Sequence, residues 1–139
     1  MTILCPVDFS ATTAALVPHA AALAAGTGAQ LRLLHVLEVP LAVLYRPGPE
    51  VAQQLAHWQQ VAAQAGAQVS ASVVQAPDAA PEIVAEAQRC EASLIMLGVH
   101  GRTGLTRLLM GSTAETVVRT APCVTLLVKP PAVHSSAAA

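Results

Sequence analysis

Hydrophobic positions along the chain follow two alternating spacings. Short apolar runs typical of strands buried on both faces occur at residues 3–7, 30–37, 94–97 and 124–128. Between them, apolar residues recur three or four positions apart, which predicts helices over 12–25, 50–65, 81–91 and 113–120. Residues 67–75 alternate apolar with polar, which predicts a further strand with one wetter face, near a sheet edge.

Several residues predict where these elements begin, bend or end. Ser10 is a candidate cap for the first helix, and Pro18 should kink that helix or delay its start. Pro6 lacks an N–H group, so pairing on one side of the first strand should lapse near its end. Helical spacing places one residue set on the buried side of the first helix: Leu16, Ala20, Leu23 and Ala24.

Strands that alternate with helices predict an α/β fold, with a parallel sheet covered by helices on both faces. Ligands of such sheets bind beyond the carboxyl ends of the strands, where the winding direction reverses. The two most polar strand exits are Val7-Asp8 and Leu97-Gly98. We therefore place the first and fourth strands side by side, with a candidate site at their ends.

Composition narrows the function classes. The 139 residues suit one domain, with 54% hydrophobic and 11% charged residues. A net charge of −1 and one residue each of Trp, Tyr and Phe argue against nucleic-acid binding. No apolar stretch has the length of a membrane span. An odd number of scattered cysteines and a start that leads straight into a strand predict free thiols and a cytoplasmic location.

A glycine-rich stretch follows the fourth strand and precedes the last helix. Gly98, Gly101, Gly104 and Gly111 lie here, and Ser112 with Glu115 has the spacing of a capping box. Glycines let backbone N–H groups approach a ligand, and a helix start adds unpaired donors and positive dipole charge, so this order favours an anion site. The alternative is that the glycines only permit tight turns and that Ser112 only caps its helix.

The glycine spacing, Gly98-x2-Gly101-x9-Gly111-Ser112, differs from the Walker loop and matches G-x2-G-x9-G-[ST]. With the strands at 3–7, 33–36 and 123–128, it resembles the ATP-binding subgroup of the universal stress protein family. The resemblance implies a Rossmann-like, adenine nucleotide alpha hydrolase-like three-layer sandwich, with five parallel strands in the order 3-2-1-4-5. Residues 1–130 would form this domain, and 131–139 a disordered tail.

The resemblance also implies ATP in a cleft between strands 1 and 4, with Mg²⁺ an open question. Asp8 would lie near the ribose and adenine, although its position equally fits a turn beside Ser10. By position only, the backbone of Val36 would meet the adenine edge and Leu97 would cover the ribose. The phosphate end would be formed by Gly98, His100, Gly101, Arg102, Gly111, Ser112 and Thr113. His100 and Arg102 could equally point to water.

No catalytic or metal-binding set is evident in the sequence. A Ser-His-carboxylate set cannot be placed, and the only lysine, Lys129, follows the last strand. We therefore expect a nucleotide-dependent stress-response or signalling module and not an enzyme. The alternatives are a nucleotide-free interaction module of the same fold and a very slow ATPase. An apolar, uncharged strand at 124–128 predicts a homodimer through that edge, as the resemblance also implies, besides an unknown protein partner.

Overall fold

The computed structural model describes residues 1–99 and 111–129. His100, Gly101 and Arg102, and the predicted tail, lie outside these residues. The strands are β1 (Thr2–Pro6), β2 (Gln30–Glu38), β3 (Gln68–Ala76), β4 (Leu94–Gly98) and β5 (Val124–Val128). The helices are α1 (Ala11–Thr27), α2 (Pro49–Gln64), α3 (Ala79–Arg89) and α4 (Ser112–Thr120).

All neighbouring strands pair in parallel, in the order β3-β2-β1-β4-β5. The chain winds from β1 outward to β3 and then crosses to β4 on the other side of β1. The predicted α/β fold and strand order are confirmed, and the winding reverses between β1 and β4 as expected.

The ends of β1 and β4 separate at this reversal. The Val7 N–H donates to the Leu34 carbonyl on β2 at 2.8 Å, so the preceding residue, Pro6, lacks its donor on the β4 side. Registered pairing with β4 covers only Ile3 and Leu4, whereas pairing with β2 continues to Pro6. The predicted lapse in pairing is confirmed, and it opens a crevice where the sheet changes direction.

Two helices cover each face of the sheet. On one face, side chains of α1 and α2 such as Leu16 and Leu55 pack with Ile3 and Cys5 of β1. On the other face, Ile83 of α3 and Val117 of α4 pack in one cluster with Leu4. None of the described helices is long and apolar enough to cross a membrane.

The first helix differs from its prediction in two respects. It runs from Ala11 through Pro18 without interruption, and Pro18 lies on the exposed side, where water can serve the Ala14 carbonyl that loses its usual donor. Leu23 is 36% exposed and does not belong to the buried stripe, whereas Val17 and Ala21 do. The buried stripe is thus Thr12, Thr13, Leu16, Val17, Ala20, Ala21 and Ala24, rotated from the predicted one by the way α1 packs on the sheet.

Candidate functional site

A cavity of about 620 Å³ lies at the carboxyl ends of the strands, over the crevice between β1 and β4. Its volume is within the range of small-molecule sites in proteins. Residues from both sides of the sheet line it. They include Val7, Asp8, Phe9, Thr12, Thr13, His35, Val36, Glu38, Tyr45, Val51, Gln54, Asp78, Leu97, Gly98, Gly111, Ser112 and Thr113.

Asp8 lies on the cavity wall and also shapes the start of α1. Its Oδ1 accepts hydrogen bonds from the Ser10 N–H at 3.0 Å and from the Thr13 hydroxyl at 3.3 Å. The Ser10 hydroxyl in turn accepts from the Thr12 N–H at 3.2 Å, which confirms Ser10 as the cap of α1. The turn role of Asp8 is thus present in the structure, and the carboxyl group still borders the cavity.

Phe9 and His35 form a stacked aromatic pair beside Asp8. Their ring centroids lie 4.3 Å apart with an interplanar angle of 26°. His35 is buried, and its Nδ1 lies 2.8 Å from the Val7 carbonyl; because a carbonyl only accepts, Nδ1 carries the proton. Phe9 adopts a φ of 62°, a left-handed conformation that costs a non-glycine residue on the order of 1 kcal/mol. This backbone turn places the Phe9 ring against His35 on the cavity wall.

Gly98, the first glycine of the motif, is in close contact with α1. A β-carbon at this position would overlap Cγ2 of Thr12 and lie 3.2 Å from its Cβ. Thr12 is itself buried, so it has little room to move aside. The absence of a side chain at Gly98 therefore lets the end of β4 approach the first turn of α1 across the crevice.

The start of α4 corrects two parts of the phosphate prediction. The N-cap residue is Gly111, one position before Ser112, and no side chain caps the helix, so the predicted Ser112 capping box is wrong. The Gly111 N–H donates to the Val99 carbonyl at 2.7 Å and is therefore engaged within the protein in this structure. The first bond of the helix runs from Glu115 N–H to the Gly111 carbonyl, so Ser112 and Thr113 carry the N–H groups of the first turn, which have no partner within the helix.

Ionisable side chains of the described cavity wall are mainly acidic. They include Asp8, Glu38 and Asp78, and no lysine or arginine of the described residues lines the cavity. One Glu38 oxygen accepts from the Ala79 N–H at 2.9 Å and so serves the first turn of α3 from the end of β2. Positive potential within the described wall therefore comes from helix starts, of which that of α3 is offset by Glu38.

The structure brings most predicted site residues to one cavity. Asp8, Val36, Leu97 and Gly98 line it from the strand ends, and Gly111, Ser112 and Thr113 from the start of α4. His100, Gly101 and Arg102 fall outside the described residues. The residue types and spacing alone did not identify five further lining residues: Phe9, Thr12, Thr13, His35 and Tyr45. The Asp8-x-Ser10 turn is a local signal from which Thr12 and Thr13 could have been predicted.

Other reactive groups lie apart from this wall. The cysteines are free, as predicted, and complete burial raises the pKa of the Cys5 thiol to about 12. Desolvation also raises the pKa of Cys90 and of Cys123. Among residues 1–99 and 111–129, no group of three or more His, Cys, Asp or Glu side chains could hold a metal ion.

Comparison with known proteins decides the family. The sequence profile of the universal stress protein family matches residues 1–129. The chain belongs to the universal stress protein family. The predicted resemblance is thus confirmed, and the parallel sheet, its reversal and the glycine motif are features of a universal stress protein.

Individual relatives of this universal stress protein support the same assignment. A universal stress protein of Methanocaldococcus jannaschii is 50% identical over 52 residues, which are 37% of this chain and 31% of that protein. The match therefore spans less than a third of that relative's length.

Two solved structures share the fold. The universal stress protein from Archaeoglobus fulgidus in complex with dAMP has a TM-score of 0.76 at 22% identity, covering 93% of this chain and 98% of that one. A universal stress protein in complex with cAMP has a TM-score of 0.74 at 24% identity, covering 94% and 98%.

Proposed function

We propose that this universal stress protein binds ATP in the cavity between β1 and β4 and acts as a nucleotide-dependent stress-response or signalling module. The observation that carries the proposal is the convergence of two helix starts, those of α1 and α4, on one cavity of about 620 Å³ at the sheet reversal. Helix starts favour anions, and sheet reversals are where α/β proteins hold nucleotides.

The cavity suggests an orientation for the nucleotide. Its β4 side offers the first turn of α4, with the N–H groups of Ser112 and Thr113 directed toward the start of the helix. Its β2 side offers Val36 and, from α2, Val51, which suit an apolar base. The triphosphate would therefore lie toward α4 and the adenine toward β2, with Asp8 and Leu97 between them beside the ribose.

Solved relatives support the adenine part of this proposal. The two structures described above are complexes with dAMP and with cAMP, and both ligands carry an adenine base and one phosphate. We propose a triphosphate ligand because of this chain's own glycine motif. Because the described wall carries three carboxylates and no lysine or arginine, we propose that Arg102, or Mg²⁺, supplies positive charge for the phosphates.

We propose a regulatory ligand and not a rapidly consumed substrate. The Asp8 carboxylate already holds the turn before α1 through Ser10 and Thr13, which removes much of its freedom to orient an attacking water. A protein partner would sense the bound nucleotide through the segment from Gly98 to Gly111. Gly98 contacts α1, and Gly111 is the N-cap of α4.

We also propose a homodimer through β5. This strand lies at the sheet edge and exposes apolar side chains, with Val124 67% and Leu126 43% exposed. An uncharged apolar edge favours pairing with a second copy of the chain.

Titration calorimetry with ATP, ADP and AMP, each with and without Mg²⁺, tests the nucleotide proposal. We expect saturable binding of all three, with ATP the tightest. The variant Arg102→Gln should weaken ATP about tenfold and AMP less, because the lost charge pairs with phosphate. Arg119→Gln, at the far end of α4, is the matched control and should bind as the wild type does. Binding of none of the three nucleotides to the wild type would refute the proposal.

A further inference from the structure

The loop between β2 and α2, residues 39–48, exposes an unusual group of apolar side chains. Leu41 is 71% exposed, Val43 47%, Leu44 101% and Tyr45 44%. Scattered surface apolar residues are normal, but four within five positions concentrate exposed apolar side chains in one loop. Tyr45 is the one member of this group that lines the cavity.

The loop is held at its first half. The Gln75 side-chain amide donates to the carbonyl of Pro40 at 3.0 Å and to that of Val43 at 3.1 Å. The Val39 N–H donates to the Ala76 carbonyl at 3.0 Å, which extends the contact with β3. Tyr45 therefore follows shortly after a turn that is bonded to β3, which places it near the carboxyl ends of the strands.

The surroundings of Tyr45 suit a flat apolar ligand. Val36 of β2, and Val51 and Gln54 of α2, line the cavity together with it. The first turn of α4 lies at the opposite, β4 end, so phosphate and base would be sorted along the sheet. Tyr45 is 44% exposed and lines this part of the cavity, and exposed aromatic rings bind bases by stacking.

We propose that Tyr45 is a base-contacting residue whose ring covers the nucleobase in the bound state. This inference rests on the proposed nucleotide binding and adds to it a wall contributed by the loop after β2. Loss of a base–aromatic contact typically weakens binding about 5- to 150-fold. The loss of binding affinity should be the same for every adenine nucleotide and absent for a ligand without a base.

The variant Tyr45→Ala tests this with three probes: ATP, AMP and inorganic tripolyphosphate. We expect its dissociation constants for ATP and AMP to rise by the same factor, about 5-fold or more, while that for tripolyphosphate is unchanged. Tyr45→Phe keeps the ring and should restore the affinity. The matched control is Leu41→Ala, which removes an apolar side chain from the same loop but not from the cavity wall.

Tyr45 is the only tyrosine of the chain, which gives a direct second measurement. In protein labelled with 3-fluorotyrosine, the single ¹⁹F resonance should shift on addition of AMP and stay in place on addition of tripolyphosphate. A wild type that binds ATP and AMP, with unchanged affinity in Tyr45→Ala and an unmoved resonance, would refute the role of Tyr45 alone. A wild type that binds neither ATP nor AMP would refute the proposed function and this inference together.

Discussion

Two residues of the candidate site have structural roles in packing and in a turn. Gly98 leaves room for Thr12, and Asp8 holds the turn that starts α1. Neither contribution depends on a ligand, so each has a structural reason to be present besides its predicted nucleotide contact. The two reasons can be separated by measuring stability and binding on the same variants.

The variant Gly98→Ala should destabilise the protein by about 1–3 kcal/mol, because its β-carbon would overlap the buried Thr12 side chain. Urea denaturation measures this change. Gly26→Ala is the matched control: nothing lies within 4 Å of its added carbon, and within α1 it should stabilise by about 0.5–1 kcal/mol. In the Gly98→Ala background, Thr12→Ser should recover part of the loss; no recovery would show that the overlap is not the cause.

Burial of the Cys5 thiol makes stability depend on pH in the alkaline range. Its pKa is about 12 in the folded chain against an ordinary value of 9.0, so the unfolded chain loses the thiol proton first as the pH rises. The thiol's contribution is complete below pH 9 and is lost between about pH 9 and 12. From pH 8 to 10.5 we expect the wild type to lose about 2 kcal/mol more unfolding free energy than Cys5→Ala. Parallel curves for the two proteins in urea titrations would contradict this.

At the scale of elements, helix starts decide both local stability and the candidate site. The helices α1 and α4 begin beside the same cavity, yet they are capped differently. A Ser10 hydroxyl caps α1, whereas the N-cap of α4 is Gly111, which has no side chain to cap it. The first turn of α4 thus retains backbone donors that a serine cap would have used.

Capping variants test this difference. Ser10→Ala should lower the unfolding free energy by about 1 kcal/mol, since it removes the acceptor of the Thr12 N–H. Ser112→Ala should leave the unfolding free energy almost unchanged, because Ser112 lies inside the helix and makes no cap bond. Chemical denaturation of the two variants under one condition gives the comparison. Equal losses of unfolding free energy in the two variants would support the capping box that the sequence predicted.

At the scale of the whole molecule, the two sheet edges differ. The β5 edge exposes Val124 and Leu126. At the other edge, β3 alternates apolar residues with the polar Gln68, Ser70 and Ser72. Apolar, uncharged edges pair with other strands, and polar ones resist pairing. The proposed dimer interface is therefore the β5 edge.

A charged residue introduced at the β5 edge should dissociate the proposed dimer. We expect the wild type to have twice the 14.2 kDa mass of the chain by light scattering at micromolar concentration, and Val124→Lys to have the monomer mass. Val73→Lys places the same charge on the opposite edge strand, at a position 37% exposed, and should remain dimeric. A wild type of monomer mass, or dissociation of both variants alike, would exclude the β5 interface.

The sequence alone determined the element types, their order and the place of the candidate site. Apolar runs and helical spacing act over a few residues, so the strands and helices could be predicted to within a few positions. The glycine spacing identified the family and pointed to Gly98, Gly111 and Ser112, which the structure places on one cavity wall. The polar strand exits at Asp8 and Gly98 located the reversal, because carboxyl ends of parallel strands meet at one edge.

Tertiary structure decided the contacts between residues far apart in the chain. The Phe9–His35 stack, the approach of Gly98 to Thr12 and the bond from Gly111 to Val99 each depend on the exact packing of elements. The rotation of α1 that exposes Leu23, and the choice of Gly111 as the N-cap of α4, follow from the same packing. Local patterns carry the preference of each segment, but close packing of buried side chains sets rotations, helix ends and the cavity wall.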